Sequence, residues 1–195
     1  MKFDCAVLIT AAGFSGRMGV SKALLNWNQE MNFLQKLIST YSSFGCNEII
    51  VSLNEEIFAT FKEFSNSNVR FILNPHPEKE RMYSVQLGLK AIKNASYCFI
   101  QAIDNPFINT KILEGIYHQK TSEKYITPTY QDQSGHPVLI NRLIIDYICQ
   151  METNNKNLKD ILHKFPRKKI AVEHSEILIN INNMDDYRNL IKPDF

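Results

Sequence analysis

Between Ala6 and Ile9 every position is apolar, and the run breaks off at Thr10 into small residues, glycines and cations. A short, continuously apolar run of this kind predicts a strand covered on both faces. The period then changes. Phe33, Leu34, Leu37, Ile38, Tyr41 and Phe44 recur at helical spacing, and Gly45 stands where a C-terminal cap belongs. Ile49 to Leu53 predicts a second strand, Ile57 to Phe64 a helix and Val69 to Leu73 a third strand. The spacing of Val85, Leu89 and Ile92 predicts another helix, and Tyr97 to Ile103 a fourth buried strand. The first two-thirds therefore reads βαβαβαβ, the alternation that builds a mainly parallel α/β sheet.

The rhythm then shifts. A helix near Lys111 to Gln119 leads to strands at Tyr125 to Thr129 and Val138 to Ile140, separated by the turn-rich Gln131, Asp132, Gln133, Ser134 and Gly135. This pair predicts an antiparallel excursion, a place where such sheets often build a second substrate site. Asn154, Asn155 and Asn157 predict a loop and a helix start.

Composition narrows the function classes. The 195 residues, 44% hydrophobic, suit one domain with a continuous core. With 22 basic and 20 acidic residues the formal charge is +2, without the strong field of a non-specific nucleic-acid binder. The cluster Lys164, Arg167, Lys168 and Lys169 reads as a solvated turn before a strand. Cys5, Cys46, Cys98 and Cys149 lack C-x-x-C spacing, which argues against structural zinc and for reduced, mostly buried thiols. No apolar segment approaches the ~20 residues of a membrane span, and Met-Lys-Phe-Asp leads into no signal-peptide core, so a cytoplasmic location is expected.

Candidate chemistry concentrates between Val7 and Lys22. A strand that runs into a glycine-rich turn can bring backbone N–H groups against a polyphosphate, and Arg17 and Lys22 supply countercharge. The spacing excludes a Walker loop, because Gly19 is followed by Val20 and Ser21 before Lys22. Gly13, Gly16 and Gly19 recur every third residue, so the G-x-G-x-x-G dinucleotide pattern is absent too. A tight strand-to-helix turn with solvated cations is the alternative. Asp104 is the second candidate, since it follows an apolar strand that Pro106 prevents from continuing. In an open α/β sheet both features fall at the carboxyl edge of the strands, where ligands bind. A carboxylate beside a nucleoside triphosphate suits magnesium, which takes one or two protein oxygens plus phosphate and water. From position alone Asp104 is equally well a turn residue or a cap for the helix starting near Asn109.

Ala11, Ala12, Gly13, Ser15, Arg17, Met18, Gly19 and Lys22 together resemble the L-A-A-G-x-S-x-R-M-G-x-x-K signature of the nucleotidyltransferases related to the molybdenum cofactor enzymes. Ile103-Asp104-Asn105-Pro106 is similar to that family's G-D-M-P element, with Ile for Gly and Asn for Met. The segment from Arg81 to Leu89 resembles G-M-S-x-S-L-x-x-G-L, Gly135-His136-Pro137-Val138 matches the cytidylyltransferases' G-H-P-V, and Leu158 to Leu162 looks like L-R-D-L-L. Asn180 to Tyr187 resembles D-I-D-T-P-E-D-L, with Asn182 at the second aspartate, and is also similar to the N-x-N-T-P-E form of the guanylyltransferases.

The resemblance covers nearly the whole chain and implies an α/β fold, one Rossmann-like nucleotidyltransferase domain over 1–195, with a mainly parallel sheet and an antiparallel excursion in its C-terminal third. It implies transfer of CMP from CTP, or NMP from another NTP, to a molybdopterin-type phosphate acceptor, with release of pyrophosphate. Arg17, Lys22 and Asp104 would be catalytic. Ala11, Ala12, Gly13, Ser15, Gly19 and Ser84 would bind nucleotide, His136 the acceptor, and Asp104 with Asn182 a Mg2+ ion. The implied partners are the NTP, the acceptor and the molybdoenzyme that receives the product, with no nucleic acid and no membrane. Because the fold serves several chemistries, a sugar or alcohol phosphate acceptor is an alternative. The changes at Ile103 and Asn182 also suit a nucleotide- or cofactor-binding protein without turnover.

Overall fold

The computed structural model describes residues 3–13, 18–61, 64, 67–76, 78–152 and 156–191. Ser15, Gly16 and Arg17 of the glycine loop, and Asn154 and Asn155, lie outside the described residues. The opening apolar run becomes β1 (Phe3–Ala11), buried from Cys5 onward. Helix α1 (Phe33–Phe44) starts in a capping box between Asn32 and Gln35 and ends at Gly45, whose φ of 102° is the left-handed cap conformation. Then follow β2 (Cys46–Leu53), α2 (Glu55–Thr60), β3 (Val69–Leu73), α3 (Glu80–Lys90) and β4 (Tyr97–Ala102), the order that the apolar pattern predicts. The helix expected from Ile57 to Phe64 starts earlier, because Asn54 caps it by accepting from the Ile57 N–H, and it stops at Thr60.

One eight-stranded sheet carries the molecule, in the order β3-β2-β1-β4, then β7 (Val138–Asn141), β5 (Tyr125–Tyr130) and β6 (Gln133–Ser134), with β8 (Arg167–Ala171) paired to β5. The first four strands are parallel. After α4 (Thr110–Tyr117) the chain forms β5 (Tyr125–Tyr130), a two-residue β6 (Gln133–Ser134) and β7 (Val138–Asn141). The expected antiparallel excursion is present, and β7 inserts between β4 and β5, antiparallel to both. The tight turn is narrower than expected: Gln131 and Asp132, at φ 46° and 64°, make the bend, and Gln133 and Ser134 already pair with β5.

The basic cluster is a correction. Arg167, Lys168 and Lys169 form part of strand β8 and not a solvated turn. Arg167 donates to the hydroxyls of Thr127 and Ser134, and Lys168 to Gln119, so side-chain bonding accommodates these cations at the sheet's edge. Helices α5 (Arg142–Gln150), α6 (Leu158–Leu162) and α7 (Met184–Leu190) complete the chain.

Apolar side chains cover both faces of the sheet. Val7 and Ile9 of β1 pack with α1 and α4 on one face, while Ala6 and Leu8 pack with α3 and α5 on the other. Among the cysteines Cys5, Cys46 and Cys98 are buried and all four are free thiols, with the Cys5 and Cys46 sulfurs 3.4 Å apart. Among the described residues no helix is long and apolar enough to cross a membrane.

Candidate functional site

Strand order reverses at β1, which has β2 on one side and β4 on the other. At such a switch point the loops leaving adjacent strands diverge and open a crevice at their carboxyl ends. Thr10 stands beside Ala102 in the β1–β4 register, and the Ile103 N–H donates to the Thr10 carbonyl at 3.2 Å. The chain past β1 and the turn past β4 thus leave from one point.

Ala11 and Ala12 are buried there, and Gly13 is exposed with open space around it. Gly19 has a φ of +69°, a backbone conformation that explains glycine at that position. Met18 packs with Leu25, Phe33, Ile181 and Ile191, which anchors the returning loop. Lys22 opens a short 3-10 helix, Lys22–Leu24, capped by the Ser21 hydroxyl. Its Nζ lies 4.0 Å from the Asp104 Oδ2, with the two side chains 14% and 26% exposed. A partly solvated pair at that separation contributes little to stability.

Asp104 does not cap α4: Asn109 does, by accepting from the Ile112 N–H at 3.0 Å. Its surroundings are fixed from two directions. The Asp104 carbonyl accepts from the Ile181 N–H at 2.8 Å, which brings the neighbouring Asn182 backbone to the same edge. Asn182 itself is exposed, and its N–H donates to the Asp186 carboxylate. From below, the wholly buried Gln101 accepts from the Tyr41 hydroxyl and donates to the carbonyls of Ala102 and Asn105.

His136 arrives on the turn before β7, where its N–H donates to the Ile177 carbonyl at 3.0 Å and its bond to Pro137 is cis. Burial, reinforced by the charge of Arg81, pushes its imidazole below the ordinary histidine range, while Asp104 pulls it back up. Ser84 sits under the far end of the crevice, buried, its hydroxyl accepting from Asn74 just past β3 at 2.8 Å. Lys22, Asp104, His136 and Asn182 are thus joined through the segments around Asp104 and Ile177 to Ile181, and Ser84 lies further along the edge.

Three residues that the sequence places in the matched segments, without giving them a site role, also bear on this edge. Asn105 is fully buried and its amide donates to the carbonyls of Glu176, Ile177 and Ile179, clamping the segment that holds both His136 and Asp104. Asn180 belongs to the same segment, and the charge of Arg81, on α3, adds to the lowering of the His136 pKa. Buried polar atoms without a hydrogen-bond partner gather in these segments: Asn105 Oδ1, His136 Nδ1 and Asn180 Oδ1. Such atoms carry a desolvation cost, and this favours a polar ligand beside them.

Residues 7–170 match the family model described as the MobA-like NTP transferase domain. The chain belongs to the MobA-like NTP transferase family. It is 28% identical to the molybdenum cofactor cytidylyltransferase of Escherichia coli, covering 94% of this chain and 93% of that protein. It is 26% identical to the probable molybdenum cofactor guanylyltransferase of Clostridium perfringens, covering 94% of each. The MobA-like fold is also that of Rv0371c from Mycobacterium tuberculosis, with a TM-score of 0.82, 19% identity, and coverage of 98% of this chain and all of that one.

Proposed function

We propose that this MobA-like protein transfers a nucleotidyl group from an NTP to the phosphate of a molybdopterin-type acceptor, and that CTP is the preferred donor. The observation that carries the reading is the approach of Lys22 and Asp104 to 4.0 Å where β1 and β4 end. An acceptor phosphate oxygen would attack the α-phosphorus in line; the new O–P bond forms as the bond to the bridging oxygen breaks, and pyrophosphate leaves. Such transfers depend mainly on positioning and on neutralising charge. Lys22, with Arg17, would meet the charge that develops toward pyrophosphate, while the loop from Ala11 to Gly19 positions the triphosphate.

The residues present suit magnesium. Asp104 offers a partly exposed carboxylate, and Asn182 an amide oxygen one residue past the backbone bond to Asp104. A carboxylate and an amide oxygen would make a small all-oxygen donor set, which suits an ion that takes its remaining ligands from nucleotide phosphates and water. When bound there, the ion would supply positive charge next to the phosphates.

The preference for CTP rests on Ala12, buried just past β1, whose methyl group would narrow the space for a base. The relatives' names divide between cytidylyl and guanylyl transfer. Incubation with molybdopterin and an equimolar CTP and GTP mixture should yield pyrophosphate and mainly the CMP-bearing product. Mainly GMP-bearing product would reverse the base assignment, and no pyrophosphate with any NTP would leave a binding protein. A cytoplasmic setting accompanies the reading, in keeping with the four free thiols.

A further inference from the structure

We infer that Gln101 is a positioning residue for Asp104: its buried amide, held in one orientation by the Tyr41 hydroxyl, ties together both ends of the turn that presents the Asp104 carboxylate. This rests on the transferase reading above, and it gives a part in the reaction to a strand residue that itself reaches no substrate.

Gln101 stands where the strand pattern calls for an apolar side chain. It is two residues past Phe99 on the same face of β4, and the Phe99 ring packs against Tyr41 and Phe44 of α1, with centroids 5.7 and 5.8 Å apart. Like Phe99 and Tyr41, Gln101 is wholly buried. Packing alone gives no reason for an amide here, since a buried amide costs free energy unless its hydrogen bonds are made. This one makes them. Its Nε2 donates to the Ala102 and Asn105 carbonyls, both at 2.9 Å, and its Oε1 accepts from the Tyr41 hydroxyl at 2.8 Å. Carbonyl oxygens only accept, so the nitrogen end faces the turn and the oxygen end faces Tyr41. Burial pushes the Tyr41 phenol well above its ordinary pKa, so it keeps the proton it donates.

The two carbonyls are the first and the fourth of one turn. The Asn105 N–H donates back to the Ala102 carbonyl at 3.3 Å, which closes Ala102 to Asn105 as a four-residue turn with Asp104 in third place. A single amide nitrogen bonded to both end carbonyls sets the distance between them. The two residues in the middle are fixed from outside. The Ile103 N–H donates to the Thr10 carbonyl of β1 at 3.2 Å, and the Asp104 carbonyl accepts from the Ile181 N–H at 2.8 Å. With its backbone held on each side, Asp104 aims its carboxylate through its own side-chain torsions, and its Oδ2 comes to 4.0 Å from the Lys22 Nζ. Bonds running from Tyr41 through Gln101 to the turn thus link helix α1, on one face of the sheet, to the carboxylate at its edge.

A reacting geometry displaced by about 1 Å costs on the order of 100-fold in rate. Gln101→Met keeps the length of the side chain and removes all three bonds, so it loosens the turn without removing the carboxylate. It should lower kcat about 10- to 100-fold and raise the magnesium concentration for half-maximal rate, with the NTP KM within about twofold of wild type. In an Asp104→Asn background the same change should cost no further rate, because a residue that acts through the carboxylate has nothing left to position. The full loss in that background, or an unchanged kcat in Gln101→Met alone, overturns the inference. Tyr41→Phe leaves the amide in place and deletes only the hydroxyl that orients it; kcat should fall by a smaller factor, and wild-type turnover there overturns the part given to Tyr41.

Amide hydrogen exchange reads the turn without any turnover. The Asn105 N–H should exchange about tenfold faster in both variants while Val7 and Ile9 of β1 keep their protection. An unchanged Asn105 overturns the inference, and so does exchange that quickens equally everywhere, which marks a residue serving stability at large. If Gln101→Met does not fold, Tyr41→Phe carries the same readouts. If the wild-type protein turns over no NTP, the transferase reading fails by itself, and exchange at Asn105 still decides whether Gln101 holds the turn.

Discussion

At the scale of single residues, the proposed site would work through charges held at a strand edge and not through packing. Asp104 keeps a quarter of its side chain in solvent and its fixed contacts run through its backbone. Asp104→Asn should therefore lower turnover by on the order of 10²–10³ while the melting temperature stays near wild type. Near-normal rates across a magnesium titration would remove Asp104 from the reaction. Lys22→Ala should raise the NTP KM or slow transfer with a stability change within about 0.5 kcal/mol. A large loss of stability with unchanged kinetics would make Lys22 a structural residue. Ala12→Gly, which removes the buried methyl just past β1, should raise the GTP to CTP usage ratio about tenfold, as a pocket change of that size allows. An unchanged ratio in competition would assign base choice elsewhere.

At the scale of elements, two helices hold the edge in place by different means. Helix α3 lies so close on β1 that Gly88 has no room for a side chain: its Cβ would overlap both Leu8 δ-carbons. Gly88→Ala should destabilise the fold by about 1–3 kcal/mol by overpacking, and displace Arg81 and Ser84 at the helix start. Urea unfolding at the wild-type level would show that Leu8 yields freely. Helix α1 carries Lys36, whose ammonium donates to the Ile108 carbonyl and lies 5.1 Å from the centroid of the Trp27 ring. Burial lowers its pKa from 10.5 to about 8. Below pH 8 the folded and unfolded chains both hold this proton, and the folded one bears the full desolvation cost. Between pH 8 and 10.5 only the folded chain has released it, so stability gains with pH. Lys36→Met removes this dependence; its stability relative to wild type should be highest below pH 8 and fall by up to about 3 kcal/mol as pH rises to 10.5. A flat difference across that window would mean that Lys36 keeps an ordinary pKa.

At the scale of the whole molecule, Asn105 joins the parallel part of the sheet to the chain's last third. Its amide reaches three carbonyls between Glu176 and Ile179, while Gln101 and Tyr41 hold the Asn105 carbonyl from the core. Asn105→Ala should cost about 2–3 kcal/mol in denaturant unfolding, because it strips bonds from buried carbonyls. It should also lower turnover, since the Ile177 carbonyl that orients His136 and the Ile181 N–H bonded to Asp104 belong to the segment it clamps.

What the sequence determined by itself was the local part. Apolar runs fixed β1 to β4, helical spacing fixed α1 and α3, and the small residues after Thr10 with the aspartate after β4 marked one strand edge, because strand and helix periods are written in neighbouring residues. The cluster Arg167 to Lys169 could not be read in this way, since its place in β8 depends on pairing with β5, some forty residues earlier. The insertion of β7 between β4 and β5 was likewise a matter of long-range pairing. Asn105 and Asn180 stand in segments that carry the family resemblance, yet no role could be read for either, because the carbonyls that Asn105 clamps lie some seventy residues away in the chain. Tertiary structure alone decided that meeting, because it depends on which distant segments the folded sheet leaves side by side.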